Sequence, residues 1–218
     1  ALSYVHGHED EWGAPLQVAG GVTIVRDIGN DNEQFLRLMQ KGESGEYLTP
    51  RYLGRAGFLE GASPFASRGS ALANSLDEAR DWVDWYAMHG FRQIKIYNSF
   101  KPEWVEETVR YAHSRGLRVS GHVPAFTRAE LMVRAGYDEL QHINQVFLNF
   151  LAGPKDDTRT LLRFKLVADK AHALDLDSQP VQDFLKLVAD RGVAVAPTVA
   201  TFEAMFRQDM GQPSPTHG

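Results

Sequence analysis

The segment Phe91–Tyr97 reads F-R-Q-I-K-I-Y, a strand pattern that places Lys95 between Ile94 and Ile96. An ammonium buried among branched apolar residues is costly. Such a lysine needs an opposite charge, a lowered pKa or a chemical change. Desolvation favours the neutral amine, and a neutral amine adds carbon dioxide to give a carbamate, a carboxylate able to bridge two metal ions. That chemistry requires metal ligands to converge on Lys95. The sequence offers imidazoles on both sides, His6 and His8 before it and His122 and His142 after it. In His6-Gly7-His8 the imidazoles project to the same side of an extended chain, where both reach one metal. Alone, the pair also reads as two polar residues at a strand end. Asp27, near the end of G-V-T-I-V-R-D-I, is either a further ligand or, the more ordinary case, a buried carboxylate held by backbone or an arginine.

The elements that must position these residues alternate along the chain. Leu2 to Val5 is an apolar run ending at His6, and Gly21 to Ile28 is a β-branched run bounded by glycines. Asn30 or Asp31 caps a helix over Glu33 to Gln40, and Tyr47 to Leu53 is a third strand. Gly54 to Gly69, rich in small residues, predicts a loop at the rim of a site. A helix from Leu76 to His89 leads into the Lys95 strand, and one from Pro102 to Ser114 follows it. Leu117 to Val123 carries His122 near its C-terminal end. Thr127 caps a helix through Arg134, and Tyr137 to Ile143 carries His142. From Asn144 to Ser178 the alternation breaks, which predicts an insertion and a lid. A helix from Pro180 to Arg191, a strand from Val193 to Val199 and a helix starting at Phe202 restore it.

Seven strands alternating with helices predict an α/β fold with a parallel sheet and helices outside. Closed (β/α)8 barrels need roughly 250 residues. The expectation is therefore a single domain over residues 1–218, an incomplete TIM-type barrel of about seven units with strand eight missing. The alternative is an open doubly wound sheet, but no Gly-rich dinucleotide loop follows the first strand. In such barrels chemistry sits at the C-terminal ends of strands. His6, His8, Lys95, His122 and His142 all meet that condition. His89, His113, His172 and His217 fall on helices or tails and do not.

Composition narrows the partners. A net charge of −5 without a basic tract speaks against nucleic acid or an anionic membrane surface as the main partner. No apolar run is long enough to span a bilayer. Cysteine is absent, which excludes disulfides and thiolate metal sites but leaves the compartment open, cytoplasmic or exported. The chain does not begin with Met and ends in the loop-like Gln212–Gly218, so a longer protein is expected.

Five motifs together carry a family resemblance: V-H-G-H (5–8), A-G-G-V-T-I-V-R-D-I-G-N (19–30), I-K-I-Y (94–97), S-G-H-V-P (120–124) and L-Q-H-I-N (140–144). On them the chain resembles the amidohydrolase superfamily, especially its imidazolonepropionase-like and Xaa-Pro dipeptidase-like members, over nearly its whole length. The resemblance implies two metal ions, usually zinc. His6 and His8 would hold the more buried one, His122 and His142 the outer one, and carboxylated Lys95 would bridge them. Catalysis then rests on Lys95 and His142, and Tyr97 is expected to orient substrate. The family also places an aspartate at the end of strand eight and a β-sandwich built from both termini. Neither is found here, and Asp209 is no match for the aspartate, so no turnover is expected without that residue.

Several functions remain open at this stage. The first is hydrolysis of an amide bond in a dipeptide, N-acyl amino acid or cyclic amide. Lactone or phosphotriester hydrolysis belongs to the same class, since fold analogy does not fix the substrate. A mononuclear deaminase would use His6, His8 and one later histidine without a modified lysine. An inactive metal-binding fragment that assembles through an open strand edge, as a homo-oligomer, is the non-enzymatic reading.

Overall fold

The computed structural model describes residues 6–7, 12–52, 56–67 and 69–207, with backbone alone at His6, Gly7, Ala204, Phe206 and Arg207. The fold is α/β with parallel sheets. Strands β1 (His6–Gly7), β2 (Ile24–Asp27) and β3 (Arg51–Tyr52) form one sheet in that order. Strands β4 (Ala56–Gly61), β5 (Ala71–Ala73), β6 (Gln93–Ile96), β7 (Arg118–Gly121), β8 (Glu139–Gln141) and β9 (Ala194–Ala196) form the second, in the order β5-β4-β6-β7-β8-β9. Each neighbouring pair is parallel. Among the described residues no helix is long and apolar enough to cross a membrane.

The helices are α1 (Gly13–Ala19), α2 (Asn32–Glu43), α3 (Leu76–Met88), α4 (Val105–Ser114), α5 (Ala129–Ala135), α6 (Ile143–Leu151), α7 (Leu162–Lys170), α8 (Gln179–Asp190) and α9 (Val199–Arg207). Their starts follow local chemistry. Asp31 accepts a hydrogen bond from the Gln34 amide, and Ser75 from the Glu78 amide, each satisfying an orphan donor of the first turn. On α3, Ala79, Val83 and Tyr86 recur at helical spacing and are all buried. On α4, Val105, Thr108, Val109 and Ala112 do the same. These faces cover a core made with Ile94, Ile96, Val119 and Leu140 of the sheet.

Four expectations need correction. The stretch from Gly54 to Gly69 contains β4, a strand buried along its whole length, not only a rim loop. Its small residues are required by packing. A Cβ on Gly57 would lie 2.4 Å from the Tyr86 ring, and one on Gly61 would lie 2.2 Å from the Ser99 carbonyl oxygen. Strand β5, on the outer edge, was not expected at all. The break in alternation begins later than Asn144, because α6 starts directly after β8. Thr127 does not cap α5; Arg128 holds the cap position without a side-chain hydrogen bond.

One interaction links the two sheets. Arg26 of β2 donates through both terminal nitrogens to Glu139 of β8, at 2.7 Å each. Both side chains are nearly buried, 14% and 9% exposed. Gln141 donates to the same carboxylate and to Ser120 Oγ. A bidentate pair in low dielectric is geometrically specific, and removing one partner strands the other charge. Arg26→Met and Glu139→Leu are each expected to lower unfolding free energy by about 3–5 kcal/mol, with the double variant recovering most of the loss. Urea unfolding of the four proteins checks this, and additive losses would contradict it.

Candidate active site

Register brings the site together. Lys95 of β6, Ser120 of β7 and Glu139 of β8 are aligned across the sheet. Aligned residues of parallel strands share a face, and the face recurs two residues on. Tyr97 and His122, just past the ends of β6 and β7, and Gln141, the last residue of β8, therefore continue the Lys95 face. The backbone carries the alignment beyond the strands, with Tyr97 N–H donating to Leu59 O and His122 N–H to Ile96 O. Gly121 makes the last approach possible. It has φ +141°, and a Cβ there would lie 2.1 Å from Ile96 O.

His142 breaks the alternation. By parity it should point away from Gln141, its neighbour on the Lys95 face. Its backbone is left-handed, with φ +69°, and its ring meets that of His122 edge-on with centroids 4.6 Å apart. Thr198, just after β9, is also left-handed, with φ +50°. The two are joined, His142 Nδ1 lying 2.8 Å from Thr198 Oγ1. Non-glycine residues in this region carry strain of about 1–3 kcal/mol, and such strain clusters at functional sites.

His122 is oriented as firmly. Its Nδ1 lies 2.8 Å from Asn98 Oδ1. An amide oxygen only accepts, so Nδ1 carries the proton and Nε2 keeps the lone pair that a metal requires. The Tyr97 ring lies over His122 with centroids 4.0 Å apart. Lys95 is 1% exposed, its Nζ 5.7 Å from the Phe58 ring centroid and 5.5 Å from that of Tyr97. Burial pushes its ammonium from the ordinary 10.5 down to about 7; Asp27 and Glu139 oppose the change and Arg26 adds to it.

Lys95, Tyr97, His122 and His142 line one cavity of about 180 Å³, together with Asn144, Gln145, Arg163, Phe164, Thr201, Phe202 and Met205. Asp27 lies outside that lining and accepts from the Gly29 amide and Asn30 Nδ2, as a buried structural carboxylate would. His6 pairs with Arg26 in the β1–β2 register. The side chain of His6 and all of His8 lie outside the described residues. His89 stacks on Trp85, His113 pairs with Asp138, and His172 lies in an exposed turn, all away from the cavity. His217 is not described.

Sequence reasoning missed Asn98, Thr198, Asn144 and Arg163. Asn98 and Thr198 each follow a strand, β6 and β9, by two residues, but the expected strand from Val193 to Val199 ran through Thr198. Arg163 carries no local signal, because it arrives on α7 from the segment after α6. That segment is anchored at Arg159. Arg159, held by Asp157 through two hydrogen bonds, lies over the rings of Phe65 and Phe126 at 4.7 and 5.1 Å.

Among the described residues no three His, Asp or Glu side chains gather into a metal-binding group. What converges is two imidazoles and one lysine. The donor chemistry fits zinc, for which imidazole nitrogen is an ordinary ligand and a carbamate on Lys95 would supply a carboxylate oxygen.

No family model matches the sequence, and no curated protein matches it. Solved structures do match the fold. A bottromycin amidohydrolase superposes with TM-score 0.60 at 21% identity, over 77% of this chain and 36% of its own. A Xaa-Pro dipeptidase with bound methionine in its active site gives 0.58 at 19%, over 93% and 49%. The ochratoxinase of A. niger gives 0.53 at 18%, over 90% and 58%. The chain thus spans about half, or less, of the first two. The likeness is one of fold, and it falls on the same amidohydrolases that the sequence motifs resemble.

A lysine whose pKa is lowered on folding binds fewer protons folded than unfolded between about 7 and 10.5. Stability then rises with pH across that window. In metal-free, carbon dioxide-depleted buffer the native protein is expected to gain on Lys95→Met by up to about 5 kcal/mol from pH 7 to 10.5. Urea midpoints at several pH values check it. A constant difference between the two proteins would mean Lys95 is not desolvated.

Proposed function

We propose that the chain forms most of a (β/α)8 barrel of the amidohydrolase superfamily. On this reading the whole protein is a metal-dependent hydrolase of amide C–N bonds, acting on a dipeptide, an N-acyl amino acid or a cyclic amide. One observation carries the reading: Lys95 and Tyr97 at the end of β6, His122 after β7 and His142 after β8 line a single cavity at the C-terminal ends of three successive strands. The fold likeness to an amidohydrolase and a dipeptidase supports it.

His6 and His8 would hold one zinc ion, His122 and His142 a second, and Lys95 would bridge as its carbamate. When bound, zinc supplies carbonyl polarisation and a water of lowered pKa. The chain's own contributions follow from the geometry. Lys95, with its pKa down at about 7, offers a neutral amine near neutrality. Its nitrogen forms a bond to the carbon of carbon dioxide, a C=O electron pair moves to oxygen, and the amine proton leaves to buffer. Asn98 fixes the His122 tautomer, and Thr198 fixes the ring of His142. Tyr97, packed on His122, is placed to orient a bound substrate. The side chains of Phe164, Phe202 and Met205 give the cavity an apolar wall.

Metal analysis with intact mass under native conditions tests the reading. After zinc and bicarbonate are supplied, about two metals per chain and a mass gain of a carbon dioxide are expected. Lys95→Ala is expected to lose the mass gain and most of the metal. Unchanged metal content in Lys95→Ala would remove the bridging role.

A further inference from the structure

The cavity has a cation that the hydrolytic chemistry above does not use. Arg163 stands in the first turn of α7, and its guanidinium lies 4.8 Å from the centroid of the Phe164 ring. Arg163 lines the same cavity as Lys95, His122 and His142. No carboxylate among the described residues forms an ion pair with it, whereas Arg26, Arg134 and Arg159, among others, each have one. A planar guanidinium seated on an aromatic face and open towards a cavity suits a planar anion, bound through two parallel hydrogen bonds.

A second observation points to a ligand in the same place. Asn144 is 3% exposed and lines the cavity, and its Oδ1 has no hydrogen-bond partner among the described residues. A buried orphan acceptor is costly unless a donor arrives. The remaining wall contributed by α7 and α9 is Phe164, Phe202 and Met205. The cavity thus offers a cation, an acceptor and an apolar surface. A free carboxylate, an amide N–H and an apolar side chain meet those three needs in one small molecule.

We propose that Arg163 is the specificity-determining residue of the site. It selects N-acyl amino acids or dipeptides whose C-terminal residue is apolar and carries a free carboxylate. This rests on the amide-hydrolase reading of the same cavity and names its substrate end. Arg159 serves as a positioning residue. Clasped between Phe65 and Phe126 four residues earlier, it fixes the start of the helix that delivers Arg163.

The test uses the metal-free protein, so that no metal ion binds the carboxylate. Titration calorimetry compares N-acetyl-L-leucine with N-acetyl-L-leucine amide, which differ only in the charged group. The native chain is expected to bind the acid at least about tenfold more tightly. Arg163→Met is expected to bind both with the affinity of the amide, and Arg163→Lys to keep part of the preference. Circular dichroism reports whether each variant is folded, and Arg163→Gln reads the same discrimination if Arg163→Met is not. Equal affinities in the native chain, no saturable binding of either ligand, or a preference that survives loss of the guanidinium would each overturn the proposal. Failure of the hydrolase reading shows elsewhere, in zinc content and carbamate mass, so the two outcomes stay separate.

Discussion

The structure depends on burying the amine of Lys95 inside the sheet face that ends at the cavity. Desolvation penalises the ammonium, and neighbours of both signs surround it: Asp27 and Glu139 on one side of the balance, Arg26 on the other. The bidentate Arg26–Glu139 pair sets two of the interior charges against each other, and it does so between β2 and β8, on different sheets. A buried pair of this kind is weak evidence for stability in itself, because desolvation offsets its attraction. Its value here is placement. Strand β7 lies between Glu139 and the lysine strand, and desolvation outweighs the attraction of Asp27 and Glu139, so that the neutral amine is reachable near pH 7.

Around this interior the imidazoles are held by groups of modest chemistry. Asn98 and Thr198 each contact an Nδ1 at 2.8 Å, which leaves both Nε2 atoms as the nitrogens aimed at other partners. The strand tails set the distances, and Gly121 permits the close approach of β7 to β6 that puts His122 beside Tyr97. The mouth is shaped from farther away. Glu60, at the end of β4, accepts from the amides of Ser67 and Ser99 and so fastens two loops to one carboxylate. Burial pushes the pKa of that carboxyl upward, while the donated hydrogen bonds pull it back.

Much of this was readable in the sequence, for identifiable reasons. The β-branched run before Asp27 and the strand ahead of His122 are bounded by glycines, the I-K-I-Y segment follows Gly90, and alternation with register places Lys95, Tyr97 and His122 on one face. Strand β4 was hidden because A-G-F-L-E-G has the composition of a loop. Its glycines answer to the Tyr86 ring and the Ser99 carbonyl, contacts that no local pattern encodes. Helix α6 was hidden because it begins at Ile143, and His142 at its cap position makes no side-chain capping bond. Arg163 was hidden because nothing near it in the sequence marks the cavity that it lines. Local propensity reports what a segment can form, and these features depend on what the segment touches.

The left-handed backbone at His142 has a consequence for anyone who would transplant this constellation to another scaffold. Copying side chains onto the ends of regular parallel strands would reproduce Lys95, Tyr97 and His122, since alternation alone aligns them. The same copy would turn His142 to the opposite side of the sheet. A working graft must therefore carry over the chain reversal between β8 and α6, with Thr198 to hold it. The portable unit is a backbone path that happens to end in an imidazole.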